Sequence, residues 1–172
     1  MLDTSQTETH TLSVLVDNEP GVLARVVGLF SGRGYNIESL TVSEVNAKQK
    51  TSRISVVTSG TPMVIEQIKK LLDRLVPVHS VQDLTLEPAH VEREMALVKI
   101  VNSGNKRIEA LRVADSFRAR TLDSTLNSFV FEVTGNSSKV TAFIDLMREL
   151  GDIEIARTGV CGITRGNRLD LS

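Results

Sequence analysis

The stretch TLSVLVDNEPGVLARVVGLFSGRGYNIESLTV, residues 11–42, decides how the rest of the chain is read. Its first six residues are rich in Val and Leu and stop at Asp17-Asn18-Glu19-Pro20-Gly21, a cluster of turn and cap residues, which predicts a strand running into a loop. Val22, Leu23, Val26, Val27, Leu29 and Phe30 then recur at spacings of three and four, so a helix with one broad apolar face follows and ends at Gly32 and Gly34. From residue 35 to 45 the pattern returns to a strand carrying Ile37, Leu40 and Val42.

Working outward, the polar segment 46–50 reverses the chain into a strand at 52–58, giving a hairpin. Thr61-Pro62 opens a second helix, since Thr caps well and Pro is tolerated in the first turn. Val64, Ile65, Ile68, Leu71, Leu72 and Leu75 form its stripe, and a strand at 78–86 closes the unit. Strand, helix, strand, strand, helix, strand is the split βαβ order of the ferredoxin-like fold, an antiparallel sheet with two helices on one face. The opposite sheet face needs a cover, and a second copy of the chain is the natural candidate.

Residues 87–94 break both periodicities and read as a linker. Beyond them the order recurs: strands at 95–101, 119–123, 128–133 and 153–158, with helices at 106–117 and 137–150. Val140, Phe143, Ile144 and Met147 share one face of the second of these helices, whereas the stripe around Ile108 is weaker. The expected class is therefore α+β, two tandem ferredoxin-like βαββαβ domains at 11–86 and 95–165, with a flexible leader at 1–10 and a tail at 166–172. A single doubly wound sheet fits less well, because adjacent strand pairs are joined by polar loops.

Bulk properties narrow the function. The 172 residues carry 20 basic and 21 acidic side chains, a formal charge of -1, so no one-sign field exists to attract nucleic acid. No apolar run approaches the roughly 18 residues that cross a bilayer, and residues 2–9 lack the apolar core of a secretory signal. The lone Cys161 excludes an intrachain disulfide and a cysteine zinc cluster and suits a reducing compartment, so a cytoplasmic protein is expected. His10, His79 and His90 fall in the leader, at a strand start and in the linker, without the spacing of a helical metal site. Gly32-Arg33-Gly34 follows a helix rather than opening one, so it is no dinucleotide fingerprint, and no serine nucleophile elbow is present. Neither a catalytic centre nor a metal or cofactor site is expected.

The 17–21 turn is the informative segment. Pro20 pre-sets the first helical turn and Gly21 lets backbone approach a ligand, leaving helix amides and the positive dipole end to meet a carboxylate. Asn18 adds an amide that both donates and accepts. On residues alone, a plain helix cap and tight turn with no ligand is the stronger reading. Asn36 and Glu38 are expected on one face of the following strand.

Residues 13–25 resemble the start of an ACT domain, an amino-acid-sensing module of this topology. Gly28-Leu29-Phe30-Ser31-Gly32-Arg33-Gly34-Tyr35-Asn36-Ile37-Glu38-Ser39-Leu40, with Ala89-His90-Val91-Glu92-Arg93-Glu94-Met95 and Arg157-Thr158-Gly159-Val160, resembles the small subunit of bacterial acetohydroxyacid synthase. The similarity runs from about residue 12 to 165. It implies a non-catalytic regulatory homodimer that binds and activates the large thiamine-diphosphate-dependent catalytic subunit and confers feedback inhibition by valine. It places the effector between two ACT domains, with Asn18 and Gly21 at the turn, Asn36 from the partner side, and Val22 and Leu23 as backbone or apolar contacts. A free-standing amino-acid sensor is the alternative, although no basic DNA-reading helix is evident.

Overall fold

The structure, a computed structural model, describes residues 6–170, and these divide into two compact units, one of residues 6–91 with 161–170 and one of residues 92–160.

The first unit contains β1 (Glu8–Asp17), α1 (Val22–Gly32), β2 (Ser39–Asn46), β3 (Thr51–Gly60), α2 (Pro62–Asp73) and β4 (Val78–Asp83), followed by a single 3-10 turn, Leu84–Leu86. The antiparallel sheet runs β2-β3-β1-β4, the expected ferredoxin-like order. Period-two alternation turns Leu12, Val14 and Val16 of β1 and Ile54 and Val56 of β3 toward the helices. There they meet Val22, Val26 and Phe30 of α1 and Ile68 and Leu72 of α2 in one buried cluster. Burying each such side chain contributes about 1.5–3 kcal/mol, so this face holds the unit together. Thr61 caps α2 through its side chain, which accepts from the Val64 amide (3.4 Å), with Pro62 as the first helical residue.

Several sequence expectations change here. β1 begins at Glu8 because Glu8 and Thr9 still pair with Gly60 and Ser59, so His10 lies in a strand and is 4% exposed rather than part of a flexible leader. Its ring nitrogens sit 2.9 Å from an Asp83 carboxylate oxygen and 3.3 Å from one of Glu8. Residues 1–5 of that leader and 171–172 of the tail lie outside the described residues. β2 starts at Ser39, not at residue 35, so Asn36 and Glu38 precede the strand instead of sharing a strand face.

The outer face of this sheet is not bare. Ser13 and Leu15 are buried although they point away from the helices. Residues 161–170 return to this unit: Arg53 donates to Ser13 Oγ (2.7 Å) and to Asp170 Oδ2 (3.1 Å), and Ser80 donates to Asp170 Oδ1 (3.1 Å). The expectation that this face waits for a second copy is thus corrected, since the chain's own C-terminal segment packs on it.

β5 (His90–Val101) begins inside the expected 87–94 linker, because that segment's polar residues still extend along a strand. The second unit continues with α3 (Asn105–Ser116), β6 (Arg120–Ser124), β7 (Ser128–Gly135), α4 (Ser137–Leu150) and β8 (Asp152–Arg157), in sheet order β6-β7-β5-β8. Ala96, Val98 and Ile100 of β5 pack with Phe129, Phe131 and Val133 of β7 and with Phe143, Ile144 and Met147 of α4. Only Ala110 and Ala114 of α3 are fully buried, which explains its faint apolar stripe. A short β9 (Cys161–Thr164) belongs to the first unit, so the second compact unit ends at residue 160, before the expected residue 165.

The two late sequence motifs meet inside the second unit. Arg157 grips the buried Glu94 carboxylate with Nε (2.6 Å) and Nη2 (2.9 Å), and Ser137 Oγ at the start of α4 donates to the same group (3.0 Å). The Arg157 hydrogen bond holds the Glu94 carboxyl below the usual carboxylate range; burial opposes this, and Ser137 reinforces it. Thr158 and Met95 exchange further bonds beside this pair.

Candidate functional site: the turn between β1 and α1

Asp17 ends β1 with its amide on the Pro77 carbonyl (2.8 Å) and its carboxylate 2.7 Å from His79 Nε2. The Asn18 amide donates to the Lys50 carbonyl (2.7 Å), fixing the chain against the β2–β3 hairpin. Val22 N–H then reaches back to the Glu19 carbonyl (3.4 Å), and Gly21 has φ 87° and ψ -8°. Glu19-Pro20-Gly21-Val22 is therefore a type II turn, with Pro at its second and Gly at its third position. Pro20 sits in that turn rather than in the first helical turn, which corrects the sequence expectation.

Gly21 is required here by its backbone, since φ near +87° is strained for any residue with a side chain. Space is not the constraint: a Cβ at Gly21 would meet nothing within 4 Å. As N-cap, Gly21 offers no side chain, and the first-turn Arg25 amide returns to its carbonyl (3.0 Å). The amides of Leu23 and Ala24 then head the helix at its positive dipole end, uncapped by any side chain.

An open cavity of about 60 Å³ adjoins this turn, lined among others by Asn18, Val22, Leu23, Val42 and Ile54. Leu23 and Val42 are each close to half exposed, at 40% and 46%, so the apolar wall is present but open to one side. The Asn18 side chain donates to Glu44 Oε1 (3.1 Å). Asn36 lies elsewhere: it is exposed in the loop after α1, its carbonyl accepting from Thr58 Oγ1 (2.6 Å), and it does not line this cavity. Within one chain, then, Asn18, Gly21, Val22 and Leu23 are neighbours and Asn36 stands apart.

Sequence reasoning missed Glu44 and Val42. Both reach the turn through the pairing of β2 with β3, a long-range contact that leaves no local signal. Among the described residues no group of His, Cys, Asp and Glu is arranged to hold a metal ion, and no helix is long and apolar enough to cross a membrane.

Comparison with known proteins places this geometry in context. The family described as AHAS small subunit-like ACT domain matches residues 12–80, and that described as small subunit of acetolactate synthase matches residues 93–166. The chain is 46% identical over 159 residues to a probable acetolactate synthase small subunit of Archaeoglobus fulgidus, spanning 92% of this chain and 98% of the relative. It is equally similar, at 46% over 159 residues, to the acetolactate synthase isozyme 3 small subunit of Escherichia coli, spanning 92% and 96%. The crystal structure of the acetolactate synthase small subunit from Thermotoga maritima superposes with a TM-score of 0.82 at 39% identity, covering 94% of this chain and 99% of that one.

Proposed function

Because this chain belongs to the family of acetolactate synthase small subunits, we propose that it is the regulatory subunit of acetohydroxyacid (acetolactate) synthase in branched-chain amino-acid biosynthesis. In this reading it acts in the cytoplasm as a homodimer and carries no catalytic centre of its own. It binds and activates the thiamine-diphosphate-dependent catalytic subunit and confers feedback inhibition by valine.

The observation that supports this most is the uncapped start of α1 behind the Pro20-Gly21 turn. Those amides and Asn18 receive the effector's carboxylate, Val22 and Leu23 border its isopropyl group, and Asn36 of a facing copy helps hold its ammonium group. Pockets that enclose a small molecule span about 300–1,000 Å³, so the cavity of about 60 Å³ is one wall of a site that a second copy completes. Valine then alters the complex only by its differential affinity for the active and inhibited arrangements, typically about 1–3 kcal/mol of coupling.

A second reading, a stand-alone amino-acid sensor, uses the same turn but needs no synthase. Turnover of the catalytic subunit, measured with and without this chain and with and without valine, separates the two. The expected result is faster acetolactate formation on adding the chain and slower formation on then adding valine. Kinetics indifferent to the chain would contradict the regulatory reading.

A further inference from the structure

The start of α1 answers only half of a free amino acid. Its uncapped amides and the Asn18 side chain suit a carboxylate, and a 2-oxo acid of the same carbon skeleton offers that carboxylate equally well. The ammonium group is what sets the amino acid apart. Reading it takes an acceptor beside the carboxylate site, and a charged acceptor bonds about twice as strongly as a neutral one.

Glu44 stands where such an acceptor is needed. By the period of two it shares a face of β2 with Val42, and the register sets these two residues opposite Ser52 and Ile54 of β3. Val42, Ser52 and Ile54 line the cavity of about 60 Å³ at the turn, so Glu44 is the next side chain along that wall. The pairing of β2 with β3 slips by one residue directly after Glu44, a bulge of the kind that re-aims neighbouring side chains. Glu44 Oε1 accepts from Asn18 Nδ2 (3.1 Å), which brings its carboxylate within one hydrogen bond of a head-group residue.

Its charge is still available. Among the described residues Glu44 forms no ion pair, whereas Glu66, Glu94 and Glu154 are matched by Lys69, Arg157 and Lys99. Asp17, the other carboxylate that touches the turn through a side-chain bond, already lies 2.7 Å from His79 Nε2.

On the reading of this turn as an amino-acid site, we propose that Glu44 is its specificity residue, taking the ligand's ammonium group and thereby rejecting 2-oxo acids of the same skeleton. One oxygen of Glu44 keeps Asn18 in place and the other accepts from the ammonium group. That group has three N–H donors, so Asn36 of a facing copy shares it without competition. A ligand that lacks the amine loses this bond and also brings its carboxylate beside a like charge with nothing to offset it. Discrimination therefore comes from an attractive and a repulsive contribution at the same residue.

Calorimetric titration of the full chain and of Glu44→Gln tests this, with L-valine and with 3-methyl-2-oxobutanoate, which carries a ketone oxygen in place of the amine. The substitution removes the charge at an exposed position and keeps an oxygen for Asn18. The native chain is expected to bind valine about tenfold or more tighter than the oxo acid. In the variant, valine weakens by about tenfold and the oxo acid binds as before or tighter, so most of the preference disappears. A residue that only positions Asn18 would weaken both ligands together, because both carry the carboxylate. An undiminished preference in the variant, or equal affinity of the native chain for the two ligands, overturns the role of Glu44 and leaves the turn as the site. A native chain that binds neither ligand overturns the turn itself and Glu44 with it.

Discussion

The β1–α1 and β5–α3 turns leave their sheets in the same way, through an asparagine and a positive-φ glycine into a helix with no side-chain cap, yet they use the asparagine differently. Asn18 is exposed and its side chain turns sideways to Glu44 on β2. Asn102 is buried and braces two helices, reaching Lys106 at the start of α3 and Leu150 at the end of α4. Glu94, at the other end of the same strand segment, bonds Ser137 at the start of α4. β5 is therefore tied to both ends of α4, whereas the first turn is held by backbone bonds to Lys50 and Pro77 and by exposed side-chain bonds of Asp17 with His79 and Asn18 with Glu44. The two corners thus differ in which neighbours the asparagine finds, an exposed glutamate in the first unit and the backbone of two helices in the second.

The sharpest way to break the braced corner is Gly151→Ala. A Cβ there would stand 3.0 Å from Asn102 Cβ and only 2.4 Å from the Val101 carbonyl oxygen, a backbone atom that cannot give way cheaply. A loss of about 3 kcal/mol, the upper end for overpacking, is expected in chemical denaturation. Next comes the asparagine pair itself. Asn102→Ala leaves the Lys106 and Leu150 carbonyls without this donor and is expected to cost about 1–3 kcal/mol. Asn18→Ala, at an exposed site, should stay within about 0.5 kcal/mol. Equal costs at the two positions would erase the contrast between the corners.

The smallest effect depends on pH. Glu94→Gln keeps an acceptor for Ser137 but loses the charge opposite Arg157, which is 36% exposed and can rehydrate, so about 1 kcal/mol is expected near neutrality. The Glu94 carboxyl is lowered from its ordinary 4.5, so its stabilisation is complete above that value and fades as pH falls through the lower folded value. Denaturation midpoints of the native chain and the variant should therefore differ at pH 7 and converge under strongly acid conditions. A gap unchanged by acid would show that the ion pair is not its source.

Particular residues show how far the sequence carried. Ser137–Leu150 was legible to the residue, because Val140, Phe143, Ile144 and Met147 repeat at helical spacing and Gly151 stops them. Gly21 was equally legible, since Pro-Gly between a strand and a helix encodes a turn within four residues. His10 was not: the ends of β1 are polar, and only their pairing with β3 makes them strand. β9 has four residues and too little alternation to announce itself. Asn102 reads in sequence as an ordinary loop residue, because its burial comes from α4, almost fifty residues away.

The proposed regulatory role depends most on the Gly21 turn receiving an amino-acid carboxylate, and calorimetric titration of valine into Gly21→Asp with Gly21→Ala as its control tests this directly. Both variants carry backbone strain at φ +87°, the alanine no less than the aspartate, but only the aspartate brings a negative charge to the site of the carboxylate. The alanine variant is expected to bind valine at the first turn, more weakly than the native chain, and the aspartate variant to lose that binding. Undiminished affinity in the aspartate variant would contradict the account.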